Sequence, residues 1–297
     1  MTTENFATNN GGLLAPAQNK KSKTKKIVLL VVKYVVAALL CAFFFFPYLF
    51  MINKSLMSYV QIAGGGTFWT RSFNIQNYAI IKDYLRSIGN TLIVVGINGF
   101  FVPFTALFCA FPLARIKFFG KKVMFGIIMA TVMIPSSVLM VPTFILFMNV
   151  FHLYDKLASQ WIGAFWGGGA LNIFLAIQFM RSIPREIDNA AKIDGANWFQ
   201  IYFRIMFPLC FNIFLFIGVN IIIGLWMDFQ TPLIYLSSPE KFTMGLAFYH
   251  AFNSDGALGE HTEWMMAMCV FITIIPMTLF LCFQKQMIGG VQMGSLK

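Results

Sequence analysis

Six long uncharged stretches divide the chain, over residues 34–53, 87–114, 123–154, 157–180, 205–227 and 264–284. Each is about 20 residues or more, enough for a helix to cross roughly 30 Å of hydrocarbon. Their apolar residues run continuously instead of alternating, which excludes a membrane β-barrel. The pattern therefore predicts an all-α, polytopic membrane protein with six transmembrane helices. Residues 1–26 are polar and rich in glycine and asparagine, too poor in apolar surface to fold, and read as a disordered tail. The apolar run 27–52 is too long for a signal-peptide core and lacks a small-residue cleavage site, so it reads as a retained helix. The membrane domain then covers 27–284, with a C-terminal tail over 285–297.

Helix interruptions are dense inside these spans: Pro103, Pro112, Pro135, Pro142, Pro276 and the run Gly167-Gly168-Gly169. Each frees backbone groups that lipid cannot satisfy, so neighbouring helices or a water-lined cavity must do so. Such a chain suits a transporter or channel better than an inert anchor. Asn98, Asn172, Gln178, Asn212 and Asn220 are expected to face other helices as hydrogen-bonding groups.

Composition sharpens this picture. The chain of 297 residues is 58% hydrophobic and 11% charged, against roughly 25% charged in soluble domains, so the apolar excess must face membrane lipid. The net charge of +11 matters through its distribution. With the N-terminus in the cytosol, fifteen lysines and arginines fall on the cytosolic side. Six fall outside, namely Lys54, Arg71, Lys82, Arg86, Lys156 and Lys241. That asymmetry places both termini inside and explains the basic patches by topology, without nucleic-acid binding. The five cysteines form no CxxC pair and no histidine stands at metal-ligand spacing, so no metal site is indicated. The phosphate-binding pattern GxxxxGK[ST] is absent too, so ATP hydrolysis by that route must come from a partner.

The longest cytosolic loop, 183–208, carries the most information. Pro184 opens a helix with Glu186 and Asp188 in its first turn, where acids complement the helix dipole, and Gly195 ends it. A second helix follows, with Trp198, Phe199, Tyr202, Phe203 and Met206 spaced to lie against an apolar surface. Such an element can project a knob flanked by Ala190, Ala191 and Gly195 into a groove on another protein. Glu186 shares the face of Asn189, three residues on, whereas Asp188 points about 100° aside.

This segment resembles the coupling loop, or EAA motif, of permease subunits of binding-protein-dependent ABC importers. Ala190-Ala191, Gly195, Ile205 and Pro208 fall at the motif's spacing, while Asn189 replaces the usual glutamate and Phe207 the usual leucine. Flanking segments extend the resemblance to the smaller six-helix partner of the maltose-type carbohydrate permeases. These are Phe46-Pro47-Tyr48 with Asn53-Lys54-Ser55-Leu56, Asn90-Thr91-Leu92, residues 110–122, Trp226-Met227-Asp228-Phe229, and the glycine-rich C-terminus.

The resemblance implies import of a sugar or oligosaccharide by alternating access across a bacterial cell membrane. The partners it implies are a second permease, two ATPase subunits that bind ATP and Mg, and an extracellular solute-binding protein. It gives Asn189, Ala190, Ala191, Asp194, Gly195 and Ala196 to ATPase coupling, with Glu186 expected to carry the acidic contact from the face it shares with Asn189, and Gln292, Gly294 and Lys297 to a C-terminal contact between the ATPases. Asn253, Asp255 and Gly256 lie in a loop similar to the one that meets the binding protein. No catalytic residue and no cofactor of its own are expected. Asp228 and the neighbouring Trp226 are candidates for the translocation path; for Asp228 the other reading is an interfacial acid reaching water. A secondary transporter is the rival class, but it needs ionisable groups within the membrane, and only Lys33 and Asp228 come near, both at span ends. An importer of a non-sugar solute remains the other alternative.

Overall fold

The uncharged stretches become helices in the computed structural model, which describes residues 20–65, 68–70, 73–253 and 260–295. No strand occurs among them. The chain divides into residues 1–50 and 51–297. The first unit holds most of α1 (Lys20–Ser55), a helix that begins within the basic stretch, before the apolar run starts.

In the second unit, a 3-10 stretch leads into α2 (Leu85–Arg115). Then come α3 (Lys121–Val132), α4 (Ser136–Asn149), α5 (Ala170–Ser182), α6 (Glu186–Ile193) and α7 (Trp198–Leu209). The chain continues through α8 (Phe211–Trp226), α9 (Gln230–Tyr235), α10 (Met244–Asn253) and α11 (Thr262–Ser295).

Four helical stretches are long and apolar enough to cross a membrane, and up to six if each of two bent pairs counts as one span. The third span is therefore not one rod: α3 and α4 meet at 101°. Pro135 sits at that junction, immediately before Ser136, where a residue without an N–H is tolerated at a helix start but not within one. The fifth span bends by 69° between α7 and α8. There Pro208 cannot donate to the carbonyl one turn back, and the preceding Ile201–Met206 widens into a π-helix. The fourth span is helical only from Ala170; residues 157–169 run as 3-10 turns and a glycine-rich bend.

The freed backbone of that segment is satisfied by α2. Asn98 donates to Gln160 O at 3.0 Å and Thr105 Oγ1 lies 2.8 Å from Ala164 O, as lipid-excluded backbone requires. Gly168 fits against α2 because it has no Cβ. Of the other intramembrane amides, Asn172 and Asn220 bond carbonyls one turn back, Gly168 O and Phe216 O, and Gln178 and Asn212 are exposed.

Helix α2 is the centre of the unit, packed against α5 and α8, with α8 also against α11. Ala106, Leu107, Ala110, Ile177, Met180, Ile213 and Ile217 are buried in one cluster. Trp226, Met244, Met268 and Ile272 anchor a second. Gly99 and Gly218 bring α2 and α8 together; a Cβ on Gly218 would stand 2.7 Å from Gly99 O. Small residues at such crossings let membrane helices gain dispersion contact where no hydrophobic drive exists. Near the third and fifth spans' ends, Asp155 accepts from Ser237 N at 3.0 Å, Ser238 N at 2.9 Å and Lys241 Nζ at 2.6 Å. The Lys241 ammonium, with the serines, holds this carboxyl well below the usual carboxylate range.

Candidate functional site

The expected helix–turn–helix is present in 183–208. At the end of α6, Asp194 N–H donates to Ala190 O at 3.1 Å, Gly195 N–H to Lys192 O at 3.0 Å and Ala196 N–H to Ala191 O at 2.9 Å. Gly195 has φ +80°, the left-handed conformation that glycine supplies at helix ends. Asn197 then starts α7 with a reciprocal capping box: Gln200 N–H donates to Asn197 Oδ1 at 2.9 Å, and Asn197 N–H to Gln200 Oε1 at 2.8 Å. One stop and one start fall within a few residues, which fixes the turn.

The side chains sort differently from the helical-wheel expectation. Tyr202 and Met206 are buried and Trp198 half-buried, but Phe199 and Phe203 are exposed. The π-helical turn adds a residue per turn and rotates the aromatic stripe, so only part of it reaches the core. The Lys192 ammonium lies 3.8 Å from the centroid of the Trp198 ring, tying α6 to α7.

What seats α6 was not among the sequence candidates. Arg115, the last residue of α2, places Nη1 3.3 Å from Asp188 Oδ2, with the two side chains 2% and 7% exposed. Its Nη2 also donates to Ile183 O at 2.9 Å. Sequence reading assigned Arg115 to topology and turned Asp188 away from the docking face. The second inference is consistent with its burial, and the signal for the pair was an inward-facing acid with no partner on its own helix.

Opposite this buried pair, α6 presents Glu186, Asn189, Ala190, Ile193, Asp194 and Gly195, all exposed. Ile193 is 87% exposed, an apolar residue at the knob's tip that sequence reading did not single out. Ala191 faces inward at 7%, and Ala196 is half-buried against the core. Of the two alanines in the motif, one therefore packs and one projects. A Cβ at Gly195 meets nothing within 4 Å, so backbone conformation, not space within this chain, demands the glycine.

The remaining candidates are not gathered into this site. Trp226 is 1% exposed and donates from Nε1 to Ile272 O at 3.0 Å, so its ring holds α8 to α11 and does not line a path. Asp228 is half-buried and accepts from Gln230 N–H at 3.0 Å and Thr231 N–H at 3.3 Å, capping α9. Asn253 is exposed at the end of α10, while Asp255 and Gly256 lie outside the described residues, as do most of residues 1–26. Gln292 and Gly294 fall in the last turns of α11, which stays helical to Ser295, and Lys297 lies outside the described residues.

Residues 103–289 match the family described as "Binding-protein-dependent transport system inner membrane component". The chain is similar to a putative ABC transporter permease protein, ORF2, of Caldicellulosiruptor sp. (strain Rt8B.4). The two are 28% identical over 256 residues, covering 84% of this chain and 91% of that one. It is also similar to the melibiose/raffinose/stachyose import permease protein MelC of Bacillus subtilis (strain 168), at 29% over 219 residues, 71% of this chain and 76% of that one. Among solved structures, a bacterial ABC transporter involved in the import of the acidic polysaccharide alginate shares the fold. The TM-score is 0.77 at 21% identity, over 88% of this chain and 97% of that chain.

Proposed function

Because this chain belongs to the family of inner membrane components of binding-protein-dependent transport systems, we propose that it is one of two permease subunits of a carbohydrate ABC importer. A sugar or oligosaccharide is delivered by an extracellular binding protein, passes between the two permeases, and is moved by the ATP hydrolysis of two partner subunits. The observation that carries this reading is the knob of α6. It is held rigidly from behind by the Arg115–Asp188 pair and offers Glu186, Asn189, Ala190 and Ile193 to a partner surface. Relatives that import melibiose, raffinose and stachyose, or arabinooligosaccharides, support the carbohydrate. The excess of basic residues on one side supports cytosolic termini, which puts the knob on the ATPase side.

In purified form the chain alone is expected to show no ATPase activity, whereas the complex with its ATPase subunits hydrolyses ATP and is stimulated by sugar-loaded binding protein. Nucleotide hydrolysis by this chain by itself, or failure to copurify with an ATP-binding subunit, would overturn the reading.

In the docking contact Glu186 supplies the acid that Asn189 lacks. A hydrogen bond to a charged group contributes roughly 1.5–3 kcal/mol, so Glu186→Ala is expected to lower sugar-stimulated ATPase coupling at least tenfold, and Asn189→Glu to be tolerated. Unchanged uptake and intact copurification in Glu186→Ala would leave shape alone to transmit the motion.

A further inference from the structure

Helices α4 and α9 face each other across a cleft of about 450 Å3, within the range of roughly 300–1,000 Å3 typical of small-molecule sites. One wall is a single stripe of α4, Ser136, Leu139, Met140 and Thr143, at helical spacing, with Ser137 beside it. The other is the facing side of α9, with Gln230, Thr231, Ile234 and Tyr235. The walls are braced at one end by Asp155, which bonds Ser237, Ser238 and Lys241 just beyond α9, while Asp155 N–H donates to Tyr235 O at 2.8 Å.

The hydroxyls of this cleft differ from those of threonines elsewhere in the spans. Thr91, Thr131, Thr273 and Thr278 each donate to a carbonyl of their own helix at 2.7–2.9 Å. In the cleft, the side chains of Ser136, Ser137, Thr143, Gln230 and Thr231 have no hydrogen-bond partner among the described residues. Tyr235 is only 5% exposed, wedged against Phe144 and Phe147, and its hydroxyl also has no partner. Ser136, Ser137, Gln230 and Thr231 are exposed and Thr143 is half-buried, so their donors and acceptors are open to whatever fills the cleft.

The lining alternates hydroxyls and an amide with Leu139, Met140, Ile234 and the Tyr235 ring. This is the chemistry that meets a sugar, whose rim of hydroxyls needs donors and acceptors and whose C–H faces need apolar contact. No lysine, arginine, aspartate or glutamate lines the cleft. An acidic sugar would bring carboxylates without a cation to receive them. We propose that the α4–α9 cleft is where this subunit holds an uncharged glycosyl unit in transit, an inference that rests on the importer reading and adds a direct substrate contact to it. Asp228 acts by capping α9 and so setting the positions of Gln230 and Thr231, while the ring of Trp226 is sealed in the core.

The test uses the whole complex, with second permease, ATPases and binding protein, in proteoliposomes. The probes are raffinose, maltotriose and arabinotriose as neutral sugars and trigalacturonate as the acidic one. Uptake of a neutral sugar and rejection of trigalacturonate are expected. Thr143→Val combined with Gln230→Leu should lower the uptake rate about tenfold, the worth of one or two hydrogen bonds, with copurification and binding-protein-stimulated ATPase retained. Ile145→Ala, on another face of α4, should leave uptake unchanged. Normal uptake by the double variant, or carriage of trigalacturonate alone, would overturn the cleft's role and leave the importer reading standing. Loss of the second permease from the double variant would also overturn it, making the cleft a subunit contact. Uptake of none of the four sugars by the intact complex, with no ATPase stimulation, would overturn the importer reading and the cleft together.

Discussion

Asp188→Ala is expected to release the coupling helix from the body of the subunit. The substitution leaves the Arg115 guanidinium 2% exposed with its carboxylate gone. Breaking a buried pair from one side costs about 3–5 kcal/mol, because the remaining charge has neither water nor partner. Arg115 keeps its hydrogen bond to Ile183 O, but its Nε already lacks a partner and no second carboxylate takes the place of the lost one. The cost should appear as a melting temperature lower by roughly 10 °C for the purified complex, with ATP hydrolysis that no longer responds to loaded binding protein. Replacing both members by Arg115→Met and Asp188→Leu should recover much of the thermal stability, since a buried pair is often no better than an apolar one. A single Asp188→Ala variant that melts and couples like the native protein would show that α6 is held by its packing alone.

Gly168→Ala should abolish folded protein. The added Cβ would stand 2.2 Å from Val102 O and 2.8 Å from Ala106 Cβ, both on α2, and the residue sits at φ +71°. Two costs combine: the left-handed conformation, about 1–2 kcal/mol for a residue with a Cβ, and a backbone contact that only a shift of the central helix can relieve. Gly195→Ala is the control, because it carries the same conformational cost at φ +80° with nothing within 4 Å. Monodisperse yield after detergent extraction should collapse for Gly168→Ala and stay near native for Gly195→Ala. Equal yields would mean that the bend at 167–169 can move away from α2.

The number of spans and the coupling hairpin were legible because both are local. An uncharged run of sufficient length, a Gly at a helix end and an Asn capping the next helix carry their meaning within a few residues. The form of the spans was not. Pro47, Pro103, Pro112, Pro142 and Pro276 lie inside continuous helices, whereas Pro135 marks the sharpest break and Pro208 the bend of the fifth span. Whether proline kinks or ends a helix depends on which neighbours accept the freed carbonyls, and sequence does not state that. The Arg115–Asp188 pair joins residues far apart in the chain, beyond any periodicity, and a basic residue after a span has a sufficient topological explanation without it. The same holds for Trp226: a tryptophan beside an acid near a span end suits a translocation path, and only the long-range bond from its nitrogen to Ile272 O shows the ring packed between helices. Ile193 was passed over because an apolar residue on a polar face makes sense only with another chain against it.

The Asp155 clamp also constrains how the chain is put into the membrane. Asp155 leaves the ribosome before the fourth and fifth spans, whereas Ser237, Ser238 and Lys241 follow both of them. Until two further spans have followed it, this carboxylate has none of these partners. Its amide and side-chain partners reach it only once the segment after the fifth span has been delivered to the same side. Correct orientation of those two spans is thus a precondition for the clamp. A chain with one of them inverted would carry Asp155 and Lys241 on opposite sides of the bilayer, with the α4–α9 walls unjoined. The clamp can therefore form only in a chain whose fourth and fifth spans return Ser237, Ser238 and Lys241 to the side of Asp155.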